Sequence, residues 1–309
     1  VFKKRNELTP RISVVIPLYN HAGYIGEALE SVLAQTVAPS EIIVVDDGST
    51  DNSLAIAESM AARDSRLIVW SQPNQDAPQA INAGLHRATG EFVAILNSDD
   101  AYSPKRLERC IGALQRDAAA GCVATGLAFM DASGAPQSLP WHAEALAFRA
   151  QEPDTALALI NANFVMTTSN FFLRRSALRE VGYFSRLRYA HDLDFLVRLL
   201  LAGQRLVTLD EPLVRYRLHP SNTIKERHDR VRIEWAAVAA FFAHKAANGM
   251  HGGSTPWETL RRLTAITERH QLTRDLAHFL TFFARSEPSR ADAFLDDPAF
   301  LAFVIGAGR

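Results

Sequence analysis

Carboxylates gather at the ends of apolar runs in this chain. The stretch EFVAILNSDD, residues 91–100, carries a run fit for burial straight into Asn97-Ser98-Asp99-Asp100. EIIVVDDGSTD ends likewise in Asp46-Asp47, ahead of Gly48. Unpaired carboxylates are costly to bury. Acids at a strand mouth therefore read either as caps for the next helix or as holders of something positively charged. Hard divalent cations prefer carboxylate oxygen, and a carboxylate also accepts hydrogen bonds from a base or a ribose. Two further segments fit the same chemistry. RYRLHPSN offers His219, an imidazole suited to a metal, with Arg217 and Arg215 two and four residues before it. On an extended strand the three share a face, a cationic rim for phosphate. HDLDFLVRLLLAGQ begins with His191, Asp192 and Asp194. An Asp there is well suited to cap a helix.

The elements that would position these groups alternate regularly over the first hundred residues. RISVVIPLYN, EIIVVDD, RLIVWSQ and EFVAILN read as four strands. Between them, GYIGEALESVLAQ, residues 51–63 and APQAINAGLHRATG read as helices. Ile25, Leu29, Val32 and Leu33 share a face of the first, Asp51 or Thr50 could cap the second, and Gly90 closes the third. Short, continuously apolar strands separated by helices predict a parallel sheet covered on both faces. Ligands of such sheets bind outside the carboxyl ends of the strands. With right-handed crossovers, the ends at Pro17–Asn20, Asp46-Asp47 and Asn97–Asp100 fall on one edge. The second half is less regular. CVATGLAFMD reads as a strand, TSNFFLRRSALREVG as a strand and a short helix, and RLVTLDEPLVRYRLHPSN as an extended strand or hairpin. Gly203 ends the amphipathic helix that starts near Asp192. Past residue 224 the chain reads as helical, with VRIEWAAVAAFFAHKAA the clearest case. A break at Gly252, Gly253 and Pro256 precedes helices at about 256–304. The expected division is 1–223 for the sheet domain and 224–309 for a helical region.

Composition narrows the classes. Of the 309 residues, 48% are hydrophobic and 22% charged, a globular rather than a disordered profile. A formal net charge of −1 argues against a nucleic-acid partner, which calls for a basic excess. Cys110 and Cys122, the only two cysteines, allow one disulfide at most and no cysteine-built metal site, which suits a reducing compartment. No apolar run reaches the ~18 residues of a membrane span. VFKKRNELTP is basic without an apolar segment behind it and does not read as a signal peptide. The chain does not begin with Met, which fits processing or trimming from something longer. A dinucleotide oxidoreductase is disfavoured because IPLYNHAGYIG lacks G-x-G-x-x-G. No Gly-rich, Lys-containing phosphate loop supports a nucleotidyltransferase.

Taken in order, SVVIPLYN, SVLAQT, EIIVVDDGSTD, ATGEFVAILNSDD, HDLDFLVRL and RYRLH resemble the family 2 glycosyltransferases over about residues 11–220. The resemblance implies the α/β GT-A fold: a Rossmann-like, mostly parallel sheet with helices on both faces, here with a C-terminal helical extension. It implies an inverting, non-processive, metal-dependent enzyme, since the Gln-x-x-Arg-Trp motif and membrane helices of the polymer synthases are missing. Asp47 would contact the nucleobase, with Pro17, Tyr19 and Asn20 walling the same pocket. NSDD stands at the family's D-x-D. Asn97 replaces the first Asp and could still bond a ribose hydroxyl, Ser98 lies between, and Asp99 would hold Mn²⁺ or Mg²⁺. His219 is the implied second metal ligand, and its imidazole favours manganese. Asp192 is the implied general base, with Asp194 as the other candidate. His191 stands where the family has Glu.

Asn82 sits where the family has an Asn near the nucleotide, with Ile81 in place of the usual Arg. Asn170 would approach the acceptor. The implied partners are a nucleotide-sugar donor, UDP-linked by family habit with GDP and dTDP open, and a saccharide or lipid-linked saccharide acceptor. The setting would be bacterial surface polysaccharide or glycoconjugate synthesis, in the cytoplasm or peripheral at the inner face of the membrane, with self-association open. In the tail, Trp235, Val238, Phe241 and Phe242 fall at helical spacing with Arg230, Arg232 and Lys245 nearby. They read as a helix packed on the sheet domain or, alternatively, as a weak membrane-surface contact. The departures at Asn97 and His191 keep a catalytically impaired nucleotide-sugar-binding protein as an alternative, beside a nucleotidyltransferase.

Overall fold

The computed structural model describes residues 10–223, 226–250 and 255–306. The basic N-terminus, Gly252, Gly253 and the first residues of the expected helical region lie outside these. Four strands come first: β1 (Ile12–Leu18), β2 (Glu41–Asp46), β3 (Leu67–Ser71) and β4 (Phe92–Ile95). Between them run α1 (Ile25–Leu33), α2 (Ser53–Ala61) and α3 (Ala77–Arg87). β1 pairs in parallel with both β2 and β4, and β2 with β3. Side chains alternate across such strands, and here both faces are apolar. Val15, Ile43, Val45, Val93 and Ile95 enter one core cluster. Ile12, Val14, Ile16, Ile42, Val44 and Ala94 enter the other. A sheet buried on both sides requires apolar residues at every position, which is why these strands read as continuous runs.

The sheet then turns mixed. After β5 (Ala101–Tyr102) and α4 (Arg106–Arg116) come β6 (Ala120–Asp131), β7 (Pro136–Gln137), α5 (Pro140–Gln151) and α6 (Thr155–Asn161). β8 (Phe172–Arg174), α7 (Arg175–Val181), α8 (His191–Leu201) and β9 (Arg205–Leu218) follow. The strand order is β3-β2-β1-β4-β8-β6-β9-β5, with β7 on β6. β8 lies antiparallel between β4 and β6, so the parallel rule stops there. β9 is one strand of 14 residues rather than a hairpin. It pairs in parallel with β6, and the register slips where Thr125 faces Leu209 and Gly126 faces Pro212. Proline lacks a ladder donor and suits such a bulge. Gly126 is required there, because a Cβ would come within 2.5 Å of the Asp210 carbonyl.

Past the bulge, β9 pairs with β5, Ala101 facing Arg215. That register carries the loop 97–100 up against residues 217–219. The helices α9 (His228–Ala247), α10 (Pro256–Arg269), α11 (Thr273–Ser286) and α12 (Pro298–Gly306) complete the chain. α9 is no surface stripe. Val238, Phe241 and Phe242 are buried in the same apolar cluster as Val15 and Ile95. Arg232 pairs with Asp275 at 3.0 Å, and the Lys245 ammonium lies over the Phe241 ring. The membrane-facing reading of these residues is therefore corrected: their apolar side faces the protein interior, where burial stabilises by about 25 cal/mol per Å².

Candidate active site

A cavity of about 1080 Å³ opens along the carboxyl ends of β1, β2 and β4. Pro17, Tyr19, Asn20, Asp47, Asn97, Ser98, Asp99, His191 and Asp192 all line it. The strand-end acids that sit far apart along the chain share one chamber with the start of α8.

At the β2 end, the Asp47 carboxylate accepts hydrogen bonds from Gln72 Nε2 at 2.9 Å and from the Gln75 N–H at 3.0 Å. Burial pushes this carboxyl up, against the pull of those donors. Gly48 makes the turn behind it at φ +75°, a conformation that residues other than glycine rarely adopt, and a Cβ there would come within 3.2 Å of the Asn74 nitrogen. Asn20, at φ 52°, accepts from the Thr50 N–H at 2.8 Å and so ties the end of β1 to that turn. Tyr19 is exposed at the mouth.

At the β4 end, His219 Nε2 lies 2.9 Å from Asp99 Oδ2. His21 completes a cluster: one ligand atom each from His21, Asp99 and His219 lie within 4.8 Å of one another. Burial lowers the His21 imidazole toward its neutral, ligating form. For Asp99, burial works upward, but the His219 hydrogen bond and the charges of His21 and His219 hold the carboxyl below its ordinary value. Two imidazoles and an ionised carboxylate are a fit donor set for a divalent first-row cation. The cluster is a candidate metal site: Asp99 and His219, the two ligands that the resemblance implies, lie together, and His21 joins them. His21 was legible only as the residue after Asn20, with no spacing of its own to mark it.

The arginines do not form the expected rim. Arg215 pairs with Glu27 at 2.9 Å, and Arg217 pairs with the same carboxylate. Arg217 is buried, its Nε donating to the Asp99 carbonyl at 2.8 Å and its N–H to Asp100 Oδ1 at 2.9 Å. Both guanidiniums are thus taken by Glu27, that of Arg217 also holding the acidic loop, and neither lines the cavity. Asn82 and Asn170 also lie off it. The Asn82 amide brackets Phe184, donating to its carbonyl at 2.9 Å and accepting from its N–H at 3.0 Å. Asn170 accepts from the Thr125 N–H at 2.8 Å and donates to the Thr125 carbonyl at 2.9 Å. These four residues therefore position others rather than face a ligand. Asn97 lines the cavity, but its side chain donates to Thr167 Oγ1 and accepts from the Thr168 hydroxyl, each at 3.0 Å.

On α8, Asp192 and Asp194 part company. Asp192 reaches the cavity. It accepts from Asn163 Nδ2 at 2.8 Å and from the Leu193 N–H at 2.7 Å. Burial pushes its carboxyl up, against the His191 charge and these donors. Desolvation thus outweighs the helix N-terminus, and Asp192 is a better base than its position in the helix alone would give. Asp194 is fully buried and locked to Arg198 at 2.9 Å, out of reach of a ligand. Asn163 sits in the irregular segment after α6, where no pattern announces it. Tyr216 lines the cavity too. Its phenol is pushed up by burial and by the charges of Asp100, Asp99 and Asp192, so it senses both acidic ends of the site.

The mixed α/β fold thus gathers acids of three element ends around one chamber, with a metal-fit cluster at its β4 end. Residues 13–182 match the profile of glycosyl transferase family 2, and the chain belongs to that family. Among curated relatives, an uncharacterized glycosyltransferase of Nostoc sp. is 34% identical over 219 residues, 69% of this chain and 66% of that one. An uncharacterized glycosyltransferase of Rickettsia typhi is 31% identical over 250 residues, 78% and 74% of the two chains. The chain spans about two thirds of the length of the Nostoc relative. Among solved structures, S. aureus TarS 1-349 in complex with UDP-GlcNAc superposes with a TM-score of 0.61 at 22% identity, over 96% of this chain and 80% of that one. A mannosyltransferase of Pyrobaculum calidifontis in complex with GDP-Man and Mn²⁺ gives 0.59 at 20% identity, over 96% and 81%. Both share the GT-A-like fold with this chain.

Proposed function

We propose that this chain transfers a sugar, with inversion, from a nucleotide-sugar donor to an acceptor hydroxyl. The observation that carries the reading is Asp192, a cavity-facing carboxylate that burial makes more basic, in the same chamber as Asp47 and Asp99. The donor's base would lie against Asp47, Pro17 and Tyr19, and its diphosphate at Asp99, His219 and His21. A divalent cation held by those three residues would supply positive charge against the diphosphate; two imidazole ligands favour Mn²⁺ over Mg²⁺. Asp192 takes the proton of the acceptor hydroxyl. The oxygen then bonds to the anomeric carbon from the far side, and the carbon–oxygen bond to the diphosphate breaks with its electron pair leaving on the nucleotide. General-base assistance of this kind is worth ~10²–10⁴-fold.

A UDP-linked donor is favoured by the TarS complex, and manganese by the Pyrobaculum calidifontis complex. Trp141, Phe148 and Trp235 line the part of the cavity nearest α5 and α9, which suits a saccharide acceptor whose ring faces are apolar and whose edges are polar. We place the reaction in the cytoplasm, where nucleotide sugars are made; two free, buried cysteines fit that setting. Peripheral membrane contact would have to use residues other than the buried ones of α9. Calorimetry of UDP- and GDP-sugars with and without Mn²⁺, followed by assay of nucleoside diphosphate release with saccharide acceptors, tests the reading. Metal-dependent donor binding and diphosphate release are expected. Pyrophosphate release, or donor binding with no turnover on any acceptor, overturns it.

A further inference from the structure

The helix that carries Asp192 starts without a side-chain cap of its own: Ala190 stands at its N-cap position. The backbone ahead of it is held from another part of the chain. Glu234, on α9, spends its carboxylate on three consecutive N–H groups. Its Oε1 accepts from Arg188 at 3.1 Å, and its Oε2 accepts from Tyr189 at 2.7 Å and Ala190 at 2.9 Å. The residue is buried, so water cannot stand in for it. The same segment is gripped from outside through Arg188, whose guanidinium pairs with Asp76 at the start of α3 and with Glu226 at 2.9 Å. Every residue from Arg188 to Leu193 lines the cavity.

We propose that Glu234 is a positioning residue for the reaction. Its carboxylate fixes the 188–190 segment and through it the place of Asp192, so that the C-terminal helices, which lie beyond the residues matched by the family profile, are part of the catalytic apparatus. The inference rests on Asp192 being the base. Three charge-assisted hydrogen bonds to one buried carboxylate are stronger than neutral ones, and an anion in front of a helix N-terminus is favoured by the helix dipole. Burial pushes the Glu234 carboxyl up to about 7, with the three N–H donors pulling it back. Only the ionised form leaves both oxygens free to accept all three bonds. Glu234 itself touches neither Asp47 nor the metal-fit cluster; of the segment it holds, Arg188 reaches toward that end, through Asp76 and through its charge on Asp47. The contact should therefore bear on turnover far more than on donor affinity.

The test is Glu234→Gln in the full chain, read three ways beside Asp192→Asn. Gln keeps the size but offers only one acceptor oxygen to three donors. Expected are a kcat at least tenfold lower, a calorimetric affinity for the nucleotide-sugar donor within twofold of the parent, and faster amide hydrogen exchange at Arg188, Tyr189 and Ala190 with the interior of α8 unchanged. An unchanged kcat overturns the proposal. So does a loss of donor affinity that matches the loss of turnover, or faster exchange throughout α8 and α9, since either marks a general loosening. If Glu234→Gln does not fold, Glu234→Asp keeps the charge on a shorter stem and is read the same way. Full turnover in Asp192→Asn would remove the base assignment and this inference with it. An inactive Asp192→Asn beside a fully active Glu234→Gln removes only the inference.

Discussion

The end of β4 and the start of α8 each present two acids, and in both only one of the two faces the cavity. At β4, Asp99 meets His219 and His21, while Asp100 accepts from the Ser169 hydroxyl at 2.6 Å and the Arg217 N–H at 2.9 Å. On α8, Asp192 lines the chamber and Asp194 is sealed against Arg198. The end of β2 repeats the pattern: Asp47 lines the cavity and Asp46 accepts from the Ser71 hydroxyl at 2.6 Å. Geometry explains the division. Asp46 and Asp47 leave β2 on extended backbone, where neighbours point to opposite sides. Asp99 and Asp100 lie in a turn closed by the Asp100 N–H on the Asn97 carbonyl at 3.1 Å. Two positions along a helix are about 200° apart. A pair of acids at an element end thus sends one carboxylate toward ligand and one into the scaffold. The inward acid serves the scaffold: it holds the loop or helix on which its partner stands.

The sharpest way to break this comparison is to neutralise the two acids of α8 separately. Asp192→Asn should lower kcat by ~10²–10⁴-fold with donor affinity kept. Because burial raises the Asp192 carboxyl, its ionisation costs stability, and that cost grows as pH rises through the raised pKa. At neutral pH the Asn variant should therefore melt no lower than the parent. Asp194→Asn should do the opposite. It leaves a buried guanidinium without its carboxylate and should cost ~3–5 kcal/mol of stability, while the variant that remains folded keeps its turnover. Thermal melts and single-turnover assays on both variants check this. Equal losses of turnover would mean that the two acids are not divided as described.

The second contrast is at β4. Asp99→Ala should abolish the Mn²⁺-dependent part of donor binding, which for a true donor at a hundredfold excess over Kd stabilises by ~2.7 kcal/mol. Asp100→Ala leaves the Arg217 N–H and the Ser169 hydroxyl without their acceptor, a cost of ~1–3 kcal/mol. It should weaken binding only as far as the loop loosens. Thermal shift with and without Mn²⁺ separates the two. A metal-dependent shift that survives in Asp99→Ala would move the metal elsewhere.

The frame and the cavity-facing acids were legible in the sequence because both depend on local pattern. Continuous apolar runs announced the two-sided sheet, and the strand mouths followed from parallel topology. What was not legible depends on contacts across the chain. Nothing near Arg215 and Arg217 says that Glu27, at the start of α1, takes both of them. Nothing near β8 says that it enters between β4 and β6 in the antiparallel sense. His21 reaches the metal-fit cluster only because β5 pairs with β9 and brings His219 across to the β1 end. Asp194 and Asp192 are alike in type and surroundings along the sequence; Arg198, one turn later, decides which one is spent on the fold.

The finest test of the comparison is Asn163, which touches the cavity-facing acid and not its buried companion. Its Nδ2 donates to Asp192 Oδ2 at 2.8 Å, and its Oδ1 accepts from the Met166 N–H at 3.1 Å. A donor to a carboxylate favours the ionised form, so Asn163 holds the Asp192 carboxyl down while burial pushes it up. The base works only when ionised. Activity should therefore be full at high pH and fall as pH drops through the Asp192 pKa, with the acid limb of kcat/KM lying above the ordinary Asp value of about 3.9. Asn163→Ala removes the opposing donor, so the limb should move to higher pH. Well above the limb, kcat/KM should stay within about tenfold of the parent, because a single hydrogen bond to a side chain that keeps its backbone partner contributes ~1 kcal/mol to its placement. A pH–rate profile of both proteins decides it. If the limb stays where it is or moves down, the group that titrates in the acid limb is not Asp192. Glu234, pushed up to about 7 by burial, is then the group to test, and the Asp192 assignment loses its pH signature.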